Sequence, residues 1–209
     1  PHPASDSPAD AIAARRYDAI YNRFFVSGIF RGTYPAEVLE GLEPHLPQGW
    51  QDDFGVIGQK LDWLGLNYYT CKRVAAVDEA WPSYAEPAGP LPKTEMGWEI
   101  YPEGLGHFLR TIARDYTGDL PLYVTENGMA APDRLLPLGQ ITDDDRIDYL
   151  DRHLQVCRSA IAEGVPLKGY FAWSLLDNFE WAEGYVRRFG LTYVDYATQK
   201  RTLKASGQW

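Results

Sequence analysis

The sequence predicts an α/β fold in which helices cover a parallel β-sheet. Short apolar segments alternate along the chain with longer segments whose apolar residues recur at helical spacing. The short segments are nearly continuous in apolar residues, which is typical of parallel strands covered on both faces. The 209 residues, 45% of them hydrophobic, are sufficient for one domain with a sizeable core.

The first helices are predicted from a cap signal and from periodicity. Ser7 followed by Pro8 is typical of an N-cap and a first helical position. Apolar residues then recur at helical spacing, and Gly28 is expected to end this amphipathic helix. The recurring residues are Ala13, Tyr17, Ile20, Tyr21 and Phe24. A second, shorter helix is expected at residues 35–40.

Four strands are predicted, at residues 62–69, 97–101, 122–125 and 168–174. Between them, Pro102 is expected to open a helix. Thr142, followed by three aspartates, is the expected N-cap of another helix, which Gly164 ends. The segment from Thr70 to Pro92 is rich in Pro, Ala and Gly, and it is predicted to be a long loop.

Four strands with long loops amount to half of a (β/α)8 TIM barrel. Eight strands with their helices need about 250 residues or more, whereas this chain has 209. An open four-stranded sheet would leave two unpaired edges, and such edges promote aggregation. We therefore expect residues 1–209 to be half of a single barrel domain, and we expect the other half to be a separate chain or a lost segment.

The composition excludes several classes of partner. A formal net charge of -9 without clustered Lys and Arg argues against nucleic acid. No apolar run approaches the roughly 18 residues of a membrane span, and no secretory signal is recognised at the first residues. Cys71 and Cys157 belong to no CxxC pair, a pattern consistent with a reducing, cytoplasmic compartment.

No cofactor or metal is expected from the sequence. The four histidines show neither HExxH nor zinc-finger spacing, which favours ordinary surface or core imidazoles over metal ligands. The chain also has no GxSxG, Walker or GxGxxG motif. Nucleotide-dependent and serine-hydrolase chemistry are therefore not indicated.

One carboxylate stands out at the end of a predicted strand. Residues 121–128 form a short apolar run that ends in Glu126 and is followed by a turn. In barrel enzymes, catalytic side chains lie at the C-terminal ends of strands. By this run alone, an exposed glutamate in a turn is as good an interpretation as a catalytic one.

Further motifs give Glu126 a context. They follow one another in order along nearly the whole chain, and their residues are Asp62–Tyr69, Gly97–Gly104, Tyr123–Gly128, Gly169–Trp181, Gly184–Leu191 and Arg201–Ser206. Together they resemble the C-terminal half of glycoside hydrolase family 1, the β-glucosidase family. The resemblance implies a (β/α)8 barrel, of which this chain would hold strands five to eight, and retaining hydrolysis of β-linked glycosides.

The resemblance also implies roles for individual residues. Glu126 matches the nucleophile that forms a covalent glycosyl-enzyme. Tyr69 matches a tyrosine whose hydroxyl orients that carboxylate and holds it ionised. Asn67 lies two residues earlier, on the same face of its strand, and matches an asparagine of the site. Without the motif, Asn67 and Tyr69 would be interpreted as a polar pair that closes a strand end.

Four more residues match the sugar pocket of the family. Trp173 is expected to be a flat platform for one sugar face, while Glu180 and Trp181 match residues that bind the non-reducing hydroxyl groups. Phe189 is expected either to line the same pocket or to pack in the core. The alternative for Trp181 and Glu180 is a packed tryptophan with a solvated loop. Trp98 is assigned to packing or to a loop surface.

The sequence also sets limits on the reaction. A glutamate at position 180 would repel a phosphate dianion, which favours an unphosphorylated sugar such as a terminal β-D-glucoside or a cello-oligosaccharide. The second carboxyl that retaining hydrolysis requires belongs to an Asn-Glu-Pro motif on strand four of the family, and this chain lacks that motif. We expect hydrolysis only when the N-terminal half is supplied. The alternative is a noncatalytic carbohydrate-binding or scaffold fragment.

Overall fold

Residues 1–137 and 139–209 are described by the structure, a computed structural model. The α-helices are α1 (Pro8–Asp18), α2 (Phe24–Arg31), α3 (Ala36–Leu42), α4 (Phe54–Ile57), α5 (Pro102–Ile112), α6 (Asp144–Ala162) and α7 (Ala205–Gln208). Single π-helical turns cover Ala19–Arg23 and Ala113–Thr117, and 3-10 turns cover Glu43–His45, Trp50–Asp53 and Trp181–Glu183. None of the helices in these ranges combines the length and the apolar character needed to cross a membrane.

The strands of the described residues are short, and they form two three-stranded sheets and two two-stranded sheets. They are β1 (His2–Pro3), β2 (Leu64–Asn67), β3 (Arg73–Ala76), β4 (Tyr84–Ala85), β5 (Leu122–Asn127), β6 (Arg134–Leu135), β7 (Ile141–Thr142), β8 (Leu167–Ala172), β9 (Thr192–Val194) and β10 (Arg201–Leu203). The residues cluster into two compact units. The first contains residues 1–62, 71–90 and 111–118, and the second contains residues 63–70, 91–110 and 119–209.

In the first unit, the helix predicted to end at Gly28 continues to Arg31. The Ser7 hydroxyl accepts a hydrogen bond from the main-chain N–H of Asp10, so the predicted N-cap is confirmed. After α1, one π-helical turn leads into α2, which ends at Gly32 with φ 60°. Gly28 lies inside the helix, at a position where a Cβ would be only 3.1 Å from the Tyr34 ring. The second predicted helix is confirmed as α3.

The predicted loop from Thr70 to Pro92 is wrong in part, because it contains two strands of the first unit. β3 pairs in parallel with β1 and antiparallel with β4, which makes a three-stranded sheet. The buried side chain of Val74 on β3 joins Ala13, Ala14 and Tyr17 of α1 in a small core. This burial of apolar surface stabilises strands that are too short to be recognised from composition.

The second unit is built around a parallel sheet in the order β2-β5-β8. Leu64 and Leu122 are partners in one ladder, and Tyr123 and Gly169 are partners in the other. These three strands confirm the predictions at 62–69, 122–125 and 168–174, with bounds that differ by a few residues. α5 and α6 each precede a strand of this sheet, as the predicted alternation requires.

The strand predicted at residues 97–101 is wrong. Gly97 has a φ of 73°, and the chain folds back in a turn in which the Thr94 N–H donates to the Trp98 carbonyl. A single antiparallel bridge joins Lys93 and Glu99, outside the parallel sheet. Among residues 1–137 and 139–209, the parallel sheet therefore has three strands rather than four, and it does not close into a barrel.

The N-cap predicted at Thr142 lies one residue too early. α6 begins at Asp144, so Asp143 occupies the cap position, and its carboxylate accepts hydrogen bonds from the Ser206 main-chain N–H and from the Arg146 side chain instead of capping the helix. The acidic first turn and the end of the helix before Gly164, which has a φ of 96°, are confirmed.

Candidate active site

The parallel ladder between β2 and β5 brings two strand ends together. Because both strands run in the same direction, their carboxyl ends lie at the same edge of the sheet. Asn67 is the ladder partner of Glu126, and Tyr69 follows two residues later. The Tyr69 hydroxyl donates a hydrogen bond of 2.8 Å to Oε2 of Glu126. A phenol donor therefore contacts the carboxylate that the sequence singled out.

Tyr69 is held in its neutral, hydrogen-bonding form. Burial raises the pKa of Tyr69 far above its ordinary value, and the hydrogen bond to Glu126 and the negative charge of Glu126 raise it further. The charge of Glu180 contributes in the same direction. Tyr69 is thus a permanent O–H donor. The negative charges of Glu126 and Glu180 both disfavour loss of the proton from its hydroxyl.

Asn67 is exposed at the end of β2. Its Oδ1 accepts a hydrogen bond of 2.7 Å from the Thr125 hydroxyl, one residue before Glu126. This bond leaves the side chain beside the carboxylate edge of the sheet rather than in the core. The structure therefore does not support the alternative of a core-facing Asn67.

Trp173 and Glu180 are also connected to each other. Trp173 follows β8, and its main-chain N–H donates to the Asn127 carbonyl at 2.8 Å. The Trp173 indole N–H donates to Oε2 of Glu180 at 3.4 Å. Glu180 is buried to 9% exposure. The indole therefore contacts a largely buried carboxylate in the segment that follows β8.

Trp181 and Phe189 have opposite environments. Trp181 has a φ of 45° and is 79% exposed, so most of its side chain faces solvent. Phe189 is only 2% exposed, and its ring centroid is 6.4 Å from that of Tyr69 and 6.1 Å from that of Trp98. Of the two interpretations of the sequence, the structure supports the core one, because Phe189 is buried and its ring packs against those of Tyr69 and Trp98.

Trp98 is closer to the site than the sequence indicated. Its ring centroid is 5.3 Å from that of Tyr69, in an edge-on arrangement. The turn at Gly97 brings Trp98 against the ring of Tyr69, which contacts Glu126. Of the two assignments of Trp98, packing and a loop surface, the structure supports packing. The sequence signal for this position was a tryptophan directly after a glycine, Gly97-Trp98, within a family motif.

The carboxylates of two other acidic residues near the site are engaged in ion pairs or main-chain hydrogen bonds. The Asp177 side chain is fully buried and pairs with Lys204 at 2.8 Å and with Arg188 at 2.5 Å. Glu99 is 6% exposed, and its Oε1 accepts a hydrogen bond from the Leu91 main chain at 2.8 Å. Asp177 anchors the segment between Trp173 and Trp181, and neither residue presents a free carboxyl group to the sheet edge.

In the part of the chain that the structure describes, no group of three or more His, Cys, Asp or Glu side chains is arranged to hold a metal ion.

Comparison with known proteins places this geometry in a family. The model of the glycosyl hydrolase family 1 matches residues 1–209. A β-glucosidase of Agrobacterium sp. is 49% identical over 214 aligned positions, which cover 99% of this chain and 46% of that protein. A 1,4-β-D-glucan glucohydrolase of Thermotoga neapolitana is 46% identical and covers 99% of this chain and 47% of its own length.

Solved structures agree with the sequences. The β-glucosidase of Thermotoga maritima in complex with glucoimidazole superposes with a TM-score of 0.94 at 46% identity, covering 100% of this chain and 47% of that one. The described residues therefore have the fold of about half of the family's TIM barrel, and the chain spans about half the length of the relatives that it matches. The matching segment contains the strand ends that carry Glu126, Tyr69 and Trp173. The chain belongs to glycosyl hydrolase family 1.

Proposed function

We propose that residues 1–209 are the C-terminal half of a single retaining β-glucosidase domain. The observation that carries this proposal is the hydrogen bond of 2.8 Å between the Tyr69 hydroxyl and Glu126 at the end of a parallel strand. Relatives at 49% and 46% identity are a β-glucosidase and a 1,4-β-D-glucan glucohydrolase, which supports β-glucosides and cello-oligosaccharides as substrates. The relative bound to glucoimidazole supports a glycoside ligand at the corresponding site.

In the proposed reaction, Glu126 is the nucleophile. Its carboxylate attacks the anomeric carbon, the bond to the leaving group breaks, and a covalent glycosyl-enzyme forms; water then hydrolyses that ester and releases the sugar. The Tyr69 hydroxyl donates a hydrogen bond to Glu126 and so keeps the carboxylate aimed. Because the pKa of Tyr69 is raised, the phenol keeps this proton throughout the working range of pH.

The proton for the leaving group has to come from a second carboxyl about 5 to 5.5 Å from the nucleophile. Asp177 and Glu99 are bound in structural contacts, and the Asn-Glu-Pro motif of the family is not in this chain. We therefore assign the acid/base to the N-terminal half of the barrel. That half is the proposed partner of this chain.

Sugar recognition is assigned to the residues around Glu180. Its carboxylate, oriented by Trp173, accepts hydrogen bonds from two sugar hydroxyls, and the indole ring of Trp173 stacks on the apolar face of the sugar. Trp181 adds an N–H donor when the partner half or the substrate covers its exposed ring, and Asn67 adds amide contacts. The negative charge of Glu180 disfavours a phosphorylated sugar.

Unpaired surface on the parallel sheet supports the need for a partner. β2 and β8 are the outer strands of the β2-β5-β8 sheet, so each has one edge without a parallel neighbour among the described residues. Phe171 on β8 is 57% exposed, and Leu175 just beyond it is 70% exposed. The N-terminal half of a barrel would pair with both edges and cover these side chains.

A noncatalytic carbohydrate-binding half-barrel is the second candidate. It is favoured by one observation, namely that the chain carries the proposed sugar-binding residues without the motif of the acid/base. Such a protein would bind glucosides through Glu180 and Trp173 and would remain inactive with any partner.

The test is an aryl β-glucoside assay on two samples. One is the 209-residue chain, and the other is the same chain joined to the N-terminal half of the Agrobacterium β-glucosidase. We expect turnover only in the joined protein. Robust turnover by the isolated chain would contradict the missing acid/base, whereas a folded but inactive joined protein would support the noncatalytic candidate. Mass spectrometry of the intact sample, searching for a companion polypeptide, identifies the natural partner.

A further inference from the structure

Asn127 follows Glu126 on β5, and its side chain uses all of its amide groups in buried contacts. The residue is 0% exposed. Its Nδ2 donates to the main-chain oxygen of Tyr68 at 2.6 Å and to the hydroxyl of Tyr149 at 2.9 Å. Its Oδ1 accepts a hydrogen bond of 2.5 Å from the Tyr170 hydroxyl. Turning this amide away would leave several buried polar groups without partners, which is costly.

The three partners belong to the three elements that surround β5. Tyr68 follows β2, Tyr149 lies on α6, and Tyr170 lies on β8. Burial raises the pKa of Tyr149 and of Tyr170 above the ordinary range, so both phenols keep their protons. The side chain of Asn127 therefore ties the neighbouring strands and one helix to the residue next to Glu126.

These bonds lie where the strand ladders are irregular. The register between β2 and β5 shifts between Leu66 and Asn67, and the register between β5 and β8 shifts between Val124 and Asn127. At such irregularities the regular main-chain bonds of the ladder are interrupted. The amide of Asn127 supplies a side-chain bond to the chain at residue 68, just beyond the first shift.

The contacts of Asn127 control the peptide units that lead to Tyr69. Asn127 binds the carbonyl of residue 68 directly, and the Tyr149 hydroxyl that it contacts donates to the Tyr69 carbonyl at 3.4 Å. The main-chain positions of residues 68 and 69 decide where the Tyr69 hydroxyl lies. At present that hydroxyl is 2.8 Å from Glu126.

We propose that Asn127 is a positioning residue that holds the Tyr69 hydroxyl on the Glu126 carboxylate and thereby supports turnover. This inference rests on the proposed glycosidase function. Because Asn127 is 0% exposed, it acts through Tyr69 rather than by contact with the sugar. We expect substitution of Asn127 to lower kcat and to leave KM nearly unchanged, because the Tyr69 contact orients the nucleophile and does not bind the sugar.

The test is a double-mutant cycle in the joined barrel. Asn127→Asp keeps the size of the side chain but places an acceptor against the Tyr68 carbonyl, so we expect kcat on an aryl β-glucoside to fall about 30-fold with KM changed less than about 2-fold. In the Tyr69→Phe background, the same substitution should lower kcat less than about 3-fold, because both act through one contact. Equal losses in the two backgrounds would overturn the inference.

The control is Asn22→Asp, which makes the same exchange of groups in the first unit. The Asn22 amide donates to Asp18 at 2.8 Å, so an aspartate there also faces an acceptor. Its kcat should equal that of the unsubstituted protein, and a loss of kcat similar to that of Asn127→Asp would count against the inference. Thermal melting of each variant separates misfolding from loss of turnover.

A crystal structure of the 209-residue chain with Asn127→Asp gives a readout that does not need activity. We expect the distance between the Tyr69 hydroxyl and the Glu126 carboxylate to exceed the hydrogen-bonding limit of about 3.5 Å. An unchanged distance of 2.8 Å would overturn the inference. If the joined barrel with Asn127 intact folds but does not turn over, the proposed function fails, and the crystal structure still decides the role of Asn127.

Discussion

Glu126 and Asp177 are two carboxylates of the same unit with opposite surroundings. Asp177 is fully buried and accepts hydrogen bonds from Arg188 at 2.5 Å and from Lys204 at 2.8 Å, in addition to two main-chain N–H groups. Glu126 is half-buried and accepts a hydrogen bond from the neutral phenol of Tyr69. Within residues 1–137 and 139–209, no Lys or Arg forms an ion pair with Glu126.

The difference shows that the partners of a carboxylate decide whether it stabilises the fold or is available for a reaction. The lone pairs of Asp177 are occupied by cations and amides, so its carboxylate holds the loop between Trp173 and Trp181 in place. Its partner Lys204 also binds Asp133 at 2.8 Å, which extends the buried ionic cluster. A carboxylate oriented by a phenol but not neutralised by a cation remains available as a nucleophile, which supports the role proposed for Glu126.

The largest effect is expected at Glu126. Glu126→Gln in the joined barrel keeps the shape and the Tyr69 neighbour but removes the nucleophile, so kcat on an aryl β-glucoside should fall on the order of 10⁴-fold or more. The thermal midpoint should change little, because no ion pair is lost. Near-normal turnover of this variant would refute the nucleophile assignment.

Asp177→Ala should show the reverse pattern, a loss of stability. Removing Asp177 leaves the buried ammonium of Lys204 and the guanidinium of Arg188 short of a counter-charge, and breaking such a buried pair costs about 3–5 kcal/mol. Urea unfolding measures this free energy. The control is Asp115→Ala, which removes an exposed carboxylate paired with Arg114, and which should leave the urea midpoint unchanged. Equal midpoints for the two variants would show that the buried cluster is not a stabilising element.

His153 extends the comparison to a buried imidazole that folding keeps in its neutral form. Its imidazole is fully buried, and burial lowers its pKa from 6.5 to about 4. Because the unfolded chain binds a proton at higher pH than the folded protein does, the free energy of unfolding should fall as pH drops from 6.5 to about 4 and should change no further through this group below that. The total loss is about 3 kcal/mol.

The measurement for His153 is urea unfolding as a function of pH. His153→Phe keeps the stacked contact with Tyr149, whose ring centroid lies 3.9 Å away, and removes the titrating group. The variant should be less stable at pH 7 because the hydrogen bond of 2.7 Å between Nδ1 and the Tyr149 carbonyl is lost. Its stability should nevertheless fall less steeply between pH 6.5 and 4. Identical slopes for the two proteins would contradict the lowered pKa.

Tyr69→Phe gives the smallest expected loss and sharpens the contrast at Glu126. The substitution keeps the ring packing against Trp98 and Phe189 and removes one hydrogen bond to a charged group, which is worth about 1.5–3 kcal/mol, or about 10- to 150-fold in kcat. Steady-state kinetics of the joined barrel measure this change. A variant with unchanged kcat would show that the phenol does not orient the nucleophile.

Most helices and three parallel strands could be predicted because their signals are local. Ser7 and Pro8 at the start of α1, and Gly164 after α6, act through short-range geometry. The apolar runs of β5 and β8 identify buried strands in the same way. The failures at residues 97–101 and in the Thr70 to Pro92 segment concern short strands and turns, whose pairing depends on residues distant in sequence.

The site shows the same division between local and long-range information. By itself, the sequence determined the family motifs, the position of Glu126 at a strand end and the absence of the acid/base motif, because each is a matter of residue types in order. Only the tertiary structure decided that Tyr69 contacts Glu126, that Trp98 lies against Tyr69 and that Asp177 forms an ion pair with Lys204. The physical reason is that the number and charge of the partners around a carboxylate depend on groups brought together by folding, which residue order does not specify.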